Sequence, residues 1–118
     1  MPSGRLLGIV FAGGCVGTLL RAAVFEAFPQ HAGRWPWATF CVNVAGAAVL
    51  GWIAARRPDP AGSARALVGA GFCGALTTFS TMQLEVLSLL DASRIGVALL
   101  YVSGSVAAGL GAVWAAAR

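Results

Sequence analysis

The chain has 118 residues, of which 58% are hydrophobic and 10% charged, and its mean hydropathy is +0.82. A water-soluble domain carries roughly 25% charged residues, so this sequence cannot cover a water-facing surface and its main solvent is read as lipid. The formal charge is +4 and every cation is arginine. Without a basic stripe, that excess suits lipid headgroups at helix ends and argues against a nucleic-acid partner.

The charges are clustered so that residues 35–55, 66–84 and 95–117 carry none, and residues 6–25 carry only Arg21. Each window approaches the ~20 residues that cross ~30 Å of hydrocarbon at 1.5 Å per residue. The expected architecture is therefore all-α, a single transmembrane domain over 1–118 with spans at about 4–28, 36–56, 63–90 and 94–117.

The first span is too long for a cleavable signal peptide and ends in Arg21-Ala-Ala-Val-Phe-Glu26, so it is read as a membrane helix. A polar turn over 29–34 follows and contains His31, the only histidine. Trp35-Pro36-Trp37 then places two indoles at an interface, where aromatic belts sit, with Pro36 tolerated in a first helical turn. The second span closes at Arg56-Arg57-Pro58-Asp59-Pro60. The third runs to Leu90, Asp91-Ala92-Ser93 turns the chain, and the fourth fills the remainder.

The 16 glycines recur at helical spacing, among them Gly13, Gly14 and Gly17 in the first span and Gly69, Gly71 and Gly74 in the third. Small residues let membrane helices approach closely where no hydrophobic force drives them together, and tight packing is the reading for most. Cys15, Cys41 and Cys73 fall in three different spans. An odd number without CxxC spacing argues against a disulfide framework or a zinc site.

Four spans put both termini on one side, together with Arg5, Arg56, Arg57, Arg65 and Arg118. Arg34 and Arg94 lie on the other, and Arg21 is ambiguous near a helix end. The arginine bias points the termini to the cytoplasm, but its margin is small enough that orientation is weakly fixed.

Polar groups are costly in lipid, so three clusters stand out. Thr39 and Asn43 share one face of the second span. An Asn amide offers two donors, which suit either an anion or an interhelical hydrogen bond. In the middle of the third span, Thr77, Thr78, Ser80 and Thr81 crowd behind Gly71 and Gly74. Hydroxyls that compete for backbone bonds, together with β-branching, read there as a helix break. Such a break frees backbone groups for ion binding and is tolerated only where it lines a cavity or is buried in protein. Tyr101 and Ser105 share a face of the fourth span and suggest a hydroxyl track. There is no Ser/His/Asp or His/Glu set, and Glu26, Glu85 and Asp91 lie toward span ends, so an enzyme is not expected.

These residues bring a resemblance into view. Gly13-Gly14-Cys15-Val16-Gly17-Thr18-Leu19-Leu20-Arg21 resembles the GGxxGAxxR of the first helix in the small fluoride channels called Fluc or CrcB. Asn43 with Gly46 resembles the family's NxxG. The run from Gly71 through Thr77-Thr78-Phe79-Ser80-Thr81 resembles its GxxGGxTTFST signature. Nearly the whole chain is covered.

The resemblance implies a passive fluoride-selective channel that exports fluoride across the plasma (inner) membrane. It implies an antiparallel, dual-topology homodimer with two pores, which suits the weak arginine bias. It further implies a structural sodium ion at the dimer centre, held by backbone carbonyls at Gly74 and Thr77. Asn43 is then a fluoride donor, Phe79 lines the pathway with ring edges, and Tyr101 and Ser105 lie along it; Thr39, Ser80, Thr81 and Met82 are read as further pathway positions and Arg21 as a structural one.

One position departs from the family pattern: Met82 stands where a second phenylalanine is usual. A thioether is polarisable but lacks a ring's positive rim. The alternative weighed is a small multidrug-resistance-type proton-coupled antiporter, which needs a buried carboxylate in the middle of its first helix. Glu26, the only acid near that helix, sits at its end. A purely structural subunit would leave the Thr77–Thr81 cluster without a purpose.

Overall fold

The computed structural model describes residues 3–31, 33–59 and 62–118, and among these the regular structure is entirely helical. Four helices are long and apolar enough to cross a membrane: Gly4–Ala27, Trp37–Arg56, Ser63–Asp91 and Ile95–Ala117. The chain is a multi-pass membrane protein. The first is α1 (Gly4–Ala27), whose N-cap Ser3 accepts from Leu6 N at 3.1 Å. The second is α2 (Trp37–Arg56), entered through Pro36, which supplies no N–H where none is needed.

The third helix is composite. It begins with α3 (Ser63–Arg65), widens into a π-helical segment over Ala66–Cys73 and returns to a short α4 (Gly74–Leu76). Thr77 and Thr78 are extended, at φ/ψ −79°/155° and −148°/117°. The chain then resumes as α5 (Phe79–Asp91), and α6 (Ile95–Ala117) follows a tight turn in which Ser93 takes φ 60°. The π-helical stretch was not anticipated, because widening the helix leaves the sequence's hydrophobicity unchanged.

Burial runs opposite to that of a soluble protein. Phe11 is 74% exposed, Leu19 71% and Trp114 65%, whereas small residues such as Ala38, Ala66, Cys73 and Ala98 are buried beside Val42, Ile53, Leu76, Leu89 and Tyr101. A surface this apolar is a lipid-facing one. Helix contact instead depends on backbone approach. A Cβ on Gly13 would meet Leu67 O, and one on Gly17 would meet Phe72 O, so α1 lies directly against the π-helical backbone. From the other side, Gly71 faces Val10 O. Between α2 and α6 the same device recurs where Gly51 meets Val113 O, 2.6 Å from where its Cβ would be.

The one larger packed cluster joins α5 to α6 and the α2 entry. Leu89, Ala98 and Tyr101 are buried there, with Trp35, Phe40, Met82 and Val86 packed around them. Trp35 meets the rings of Phe40 and Tyr101 edge-on, both at 5.5 Å between centroids. Its indole is therefore drawn into the protein, while Trp37 remains 60% exposed.

Candidate functional site

The helix interruption is held by one side chain from α2. Thr78 N–H donates to Asn43 Oδ1 at 2.8 Å, and Asn43 Nδ2 donates to Thr78 O at 3.2 Å. The amide thus pairs with both backbone groups of one extended residue, which fixes which end of the amide is oxygen. Only one of the two Nδ2 hydrogens is used by this pair. Thr78 also caps α5, its hydroxyl accepting from Thr81 N at 3.2 Å, and this satisfies one of the orphan N–H groups at the start of that helix.

These bonds have a consequence for the preceding carbonyls. In a continuous α-helix Thr78 N–H would go to Gly74 O, and Thr81 N–H to Thr77 O. Both donors are turned elsewhere, so the carbonyls of Gly74 and Thr77 lose their helical partners. The Thr77 hydroxyl bonds back to Cys73 O at 2.9 Å, and its methyl is seated against Gly46 of α2. Gly74 is exposed and Phe79 is 68% exposed. These are not membrane-facing leucines but the rim of a cavity of about 460 Å³, whose wall includes Asn43, Thr77, Thr78, Met82 and Ser105. Ser105 Oγ is buried and has no hydrogen-bond partner. An unpaired buried hydroxyl is uncommon and needs an explanation.

A second polar cluster lies further along α5. Thr39 Oγ1 donates to Glu85 Oε2 at 2.9 Å, and Tyr101 OH donates to Glu85 Oε1 at 2.9 Å. Thr39 is 1% exposed and Tyr101 0%. Both hydroxyls are committed to one carboxyl group, each donating to a different oxygen.

The family model described as CrcB-like protein, Camphor Resistance (CrcB), matches residues 8–117. The chain belongs to this family. A relative from Mycolicibacterium paratuberculosis, named fluoride-specific ion channel FluC 1, is 45% identical over 97% of this chain and 89% of its own length. A protein of Stutzerimonas stutzeri, named fluoride-specific ion channel FluC, is 41% identical over 94% of this chain and 93% of its own. One from Gloeobacter violaceus with the same name is 41% identical, covering 91% and 89%.

In this CrcB-family chain, the structure gathers Asn43, Phe79, Met82 and Ser105 with Gly74 and Thr77 at one cavity. It sets Thr39 and Tyr101 apart from that cavity wall, at the Glu85 cluster. Ser80 is exposed and Thr81 half-buried, and neither lines the cavity. Arg21 is half-buried near the end of α1 and forms no ion pair with a carboxylate of the described residues. Met82 touches both regions, since it lines the cavity and packs on the Leu89–Tyr101 cluster.

Glu85 was read from the sequence only as an acid toward a span end. It does lie six residues before the end of α5 at Asp91, and the structure adds that its side chain faces the bundle, where it receives both hydroxyls. The available signal was helical spacing. Met82, Glu85, Val86 and Leu89 fall on one face, and three of the four pack inward as apolar residues.

Proposed function

We propose that the chain is a passive fluoride-selective channel that exports fluoride from the cytoplasm, working as an antiparallel homodimer with two pores in the plasma (inner) membrane. The observation that carries this reading is the cavity at the helix break, where Asn43 and the unpartnered Ser105 hydroxyl stand together. Fluoride is small and strongly hydrated, so entering a narrow pore requires donors that replace its water. The remaining Nδ2 hydrogen of Asn43 and the Ser105 O–H are uncharged donors of that kind.

Phe79 adds a ring whose edge carries the positive rim of the quadrupole. The N-terminal end of α5 adds a partial positive charge with no acidic residue in its first turn. None of these is a full cation, which suits conduction, since binding must be strong enough for entry and weak enough for release. The relatives' names supply the identity of the anion.

The dimer and its dual topology are supported by the exposed rim of the cavity and by the weak arginine bias. Gly74 and Phe79 face outward from a polar break, a surface that lipid cannot satisfy and a second copy can. A structural sodium ion fits the same place: the carbonyls of Gly74 and Thr77 are hard oxygen ligands that have lost their helical donors. Such an ion would be held by the lone pairs of those two carbonyls and would supply the partner that the helix break took from them.

Liposomes loaded with fluoride and carrying the purified protein test the proposal, with efflux followed by a fluoride electrode and chloride-loaded vesicles as control. Rapid fluoride release with chloride retained is the expected result. No fluoride release from folded dimers would sink the channel reading.

A further inference from the structure

The two ends of the molecule are built differently. Where α2 and α6 finish, Arg56, Arg57 and Arg65 line a pocket of about 380 Å³ between the end of α2 and the start of α3, and Asp59 also contributes to its wall. Three guanidiniums and one carboxylate leave the pocket with a formal charge of +2. At the opposite end, a pocket of about 350 Å³ has Arg34 as its single arginine, beside His31 and Gln30.

Two of the pocket's arginines, Arg56 and Arg65, donate to backbone carbonyls. Arg56 Nη1 donates to Ala116 O at 3.3 Å, and Arg65 Nη1 donates to Pro58 O at 2.9 Å. Each bond uses one of five guanidinium N–H groups, so the forks that match phosphate oxygens are largely free. Asp59 offsets part of the charge but cannot balance three cations.

Two indoles fix the depth of this end in the bilayer. Arg56 lies over the Trp52 ring at 5.4 Å and Arg118 over the Trp114 ring at 4.6 Å. Trp52 is 46% exposed and Trp114 65%, so their outer faces meet lipid. Tryptophan collects at the headgroup level of a membrane, which places the guanidiniums stacked on these rings beside lipid phosphates. Basic pockets among transmembrane helices bind anionic headgroups by this chemistry.

We propose that the Arg56–Arg57–Arg65 pocket binds an anionic phospholipid, its headgroup phosphate between the guanidiniums and its acyl chains descending past Trp52. The inference is independent of fluoride conduction. In an antiparallel dimer it would give one such site to each leaflet.

The test is thermal melting of the purified full-length protein in phosphatidylcholine nanodiscs of increasing phosphatidylglycerol content. The melting temperature of the parent is expected to rise with phosphatidylglycerol. In the double variant R56Q/R57Q the same rise should require roughly twenty-five-fold more of the lipid, about fivefold for each charge removed. The variant R34Q, at the opposite end, should titrate like the parent.

Equal responses of the parent and R56Q/R57Q would overturn the site. So would a shift reproduced by inorganic phosphate at matched concentration, since the pocket would then be one for a free anion. If the double variant does not fold, lipid counting by native mass spectrometry on the parent decides the matter. Phosphatidylglycerol enriched over its fraction in a mixed bilayer supports the site, and a ratio equal to the bilayer's refutes it.

Discussion

Along Ala66–Cys73 the third span lies with its backbone against the glycines of α1, and no side chain intervenes. At Thr77–Thr78, a few residues further on, the same span is gripped by the Asn43 side chain of α2 through two hydrogen bonds. The first contact is dry and depends on the absence of a Cβ. The second is polar and depends on one amide whose oxygen and nitrogen match an exposed peptide. A membrane helix can thus be seated by shape alone, but interrupting it requires a partner for every freed backbone group.

The largest effect should come from filling the dry contact. Gly17→Leu would drive a side chain into Phe72 O, with no flexible neighbour to give way, at a cost of about 3 kcal/mol or more. The recovered monodisperse fraction after size exclusion should collapse. Gly8→Leu, where nothing lies near the added Cβ, should behave as the parent. Equal tolerance at both positions would break the distinction between contact types.

Asn43→Leu attacks the polar contact. It leaves Thr78 N–H and C=O unpaired, at about 1–3 kcal/mol each, and removes a donor from the cavity. Melting temperature and fluoride efflux should fall together, efflux by about 100-fold on the scale of a lost preorganised donor. Full efflux by a folded Asn43→Leu protein would remove the amide from the pathway.

Tyr101→Phe removes one of the two hydroxyls on Glu85, and a loss of about 1–3 kcal/mol follows because a buried acceptor is left unsatisfied. Denaturation in mild detergent measures it. Ser105→Ala sharpens the comparison further, because that hydroxyl has no protein partner. Stability should change by less than about 0.5 kcal/mol, while fluoride efflux slows. A stability loss like that of Tyr101→Phe would mean that Ser105 is structural. The smallest effect is expected from Met82→Phe. Conduction should survive with an altered rate, and identical conductance and selectivity would make the position one of packing only.

Much of the candidate site was legible because lipid makes polar residues conspicuous. The crowding of Thr77, Thr78, Ser80 and Thr81 announced an interruption, and the interruption lies at Thr77–Thr78. The Thr39–Asn43 pair did share a face, and both members do reach the third span. What they bind there was not legible: Asn43 takes a backbone, while Thr39 takes Glu85. Thr39 is 46 residues from that carboxylate and Tyr101 is 16 away, and no local pattern links them. Glu85 looked peripheral because its sequence distance to Asp91 was short, whereas its helical face pointed inward.

The sequence by itself determined the four spans, since three charge-free windows and a fourth broken only by Arg21, each of bilayer length, admit few other structures in lipid. It determined that the third span would be interrupted, because hydroxyl and β-branched residues there weaken the helix locally. Only the tertiary structure decided which donors the break turns toward Asn43 and which carbonyls it frees. It also decided that two hydroxyls read as pathway donors close on Glu85. Periodicity records which residues share a face, but hydrogen bonding depends on which face of which helix arrives opposite, and that follows from how closely the glycines allow the backbones to pack.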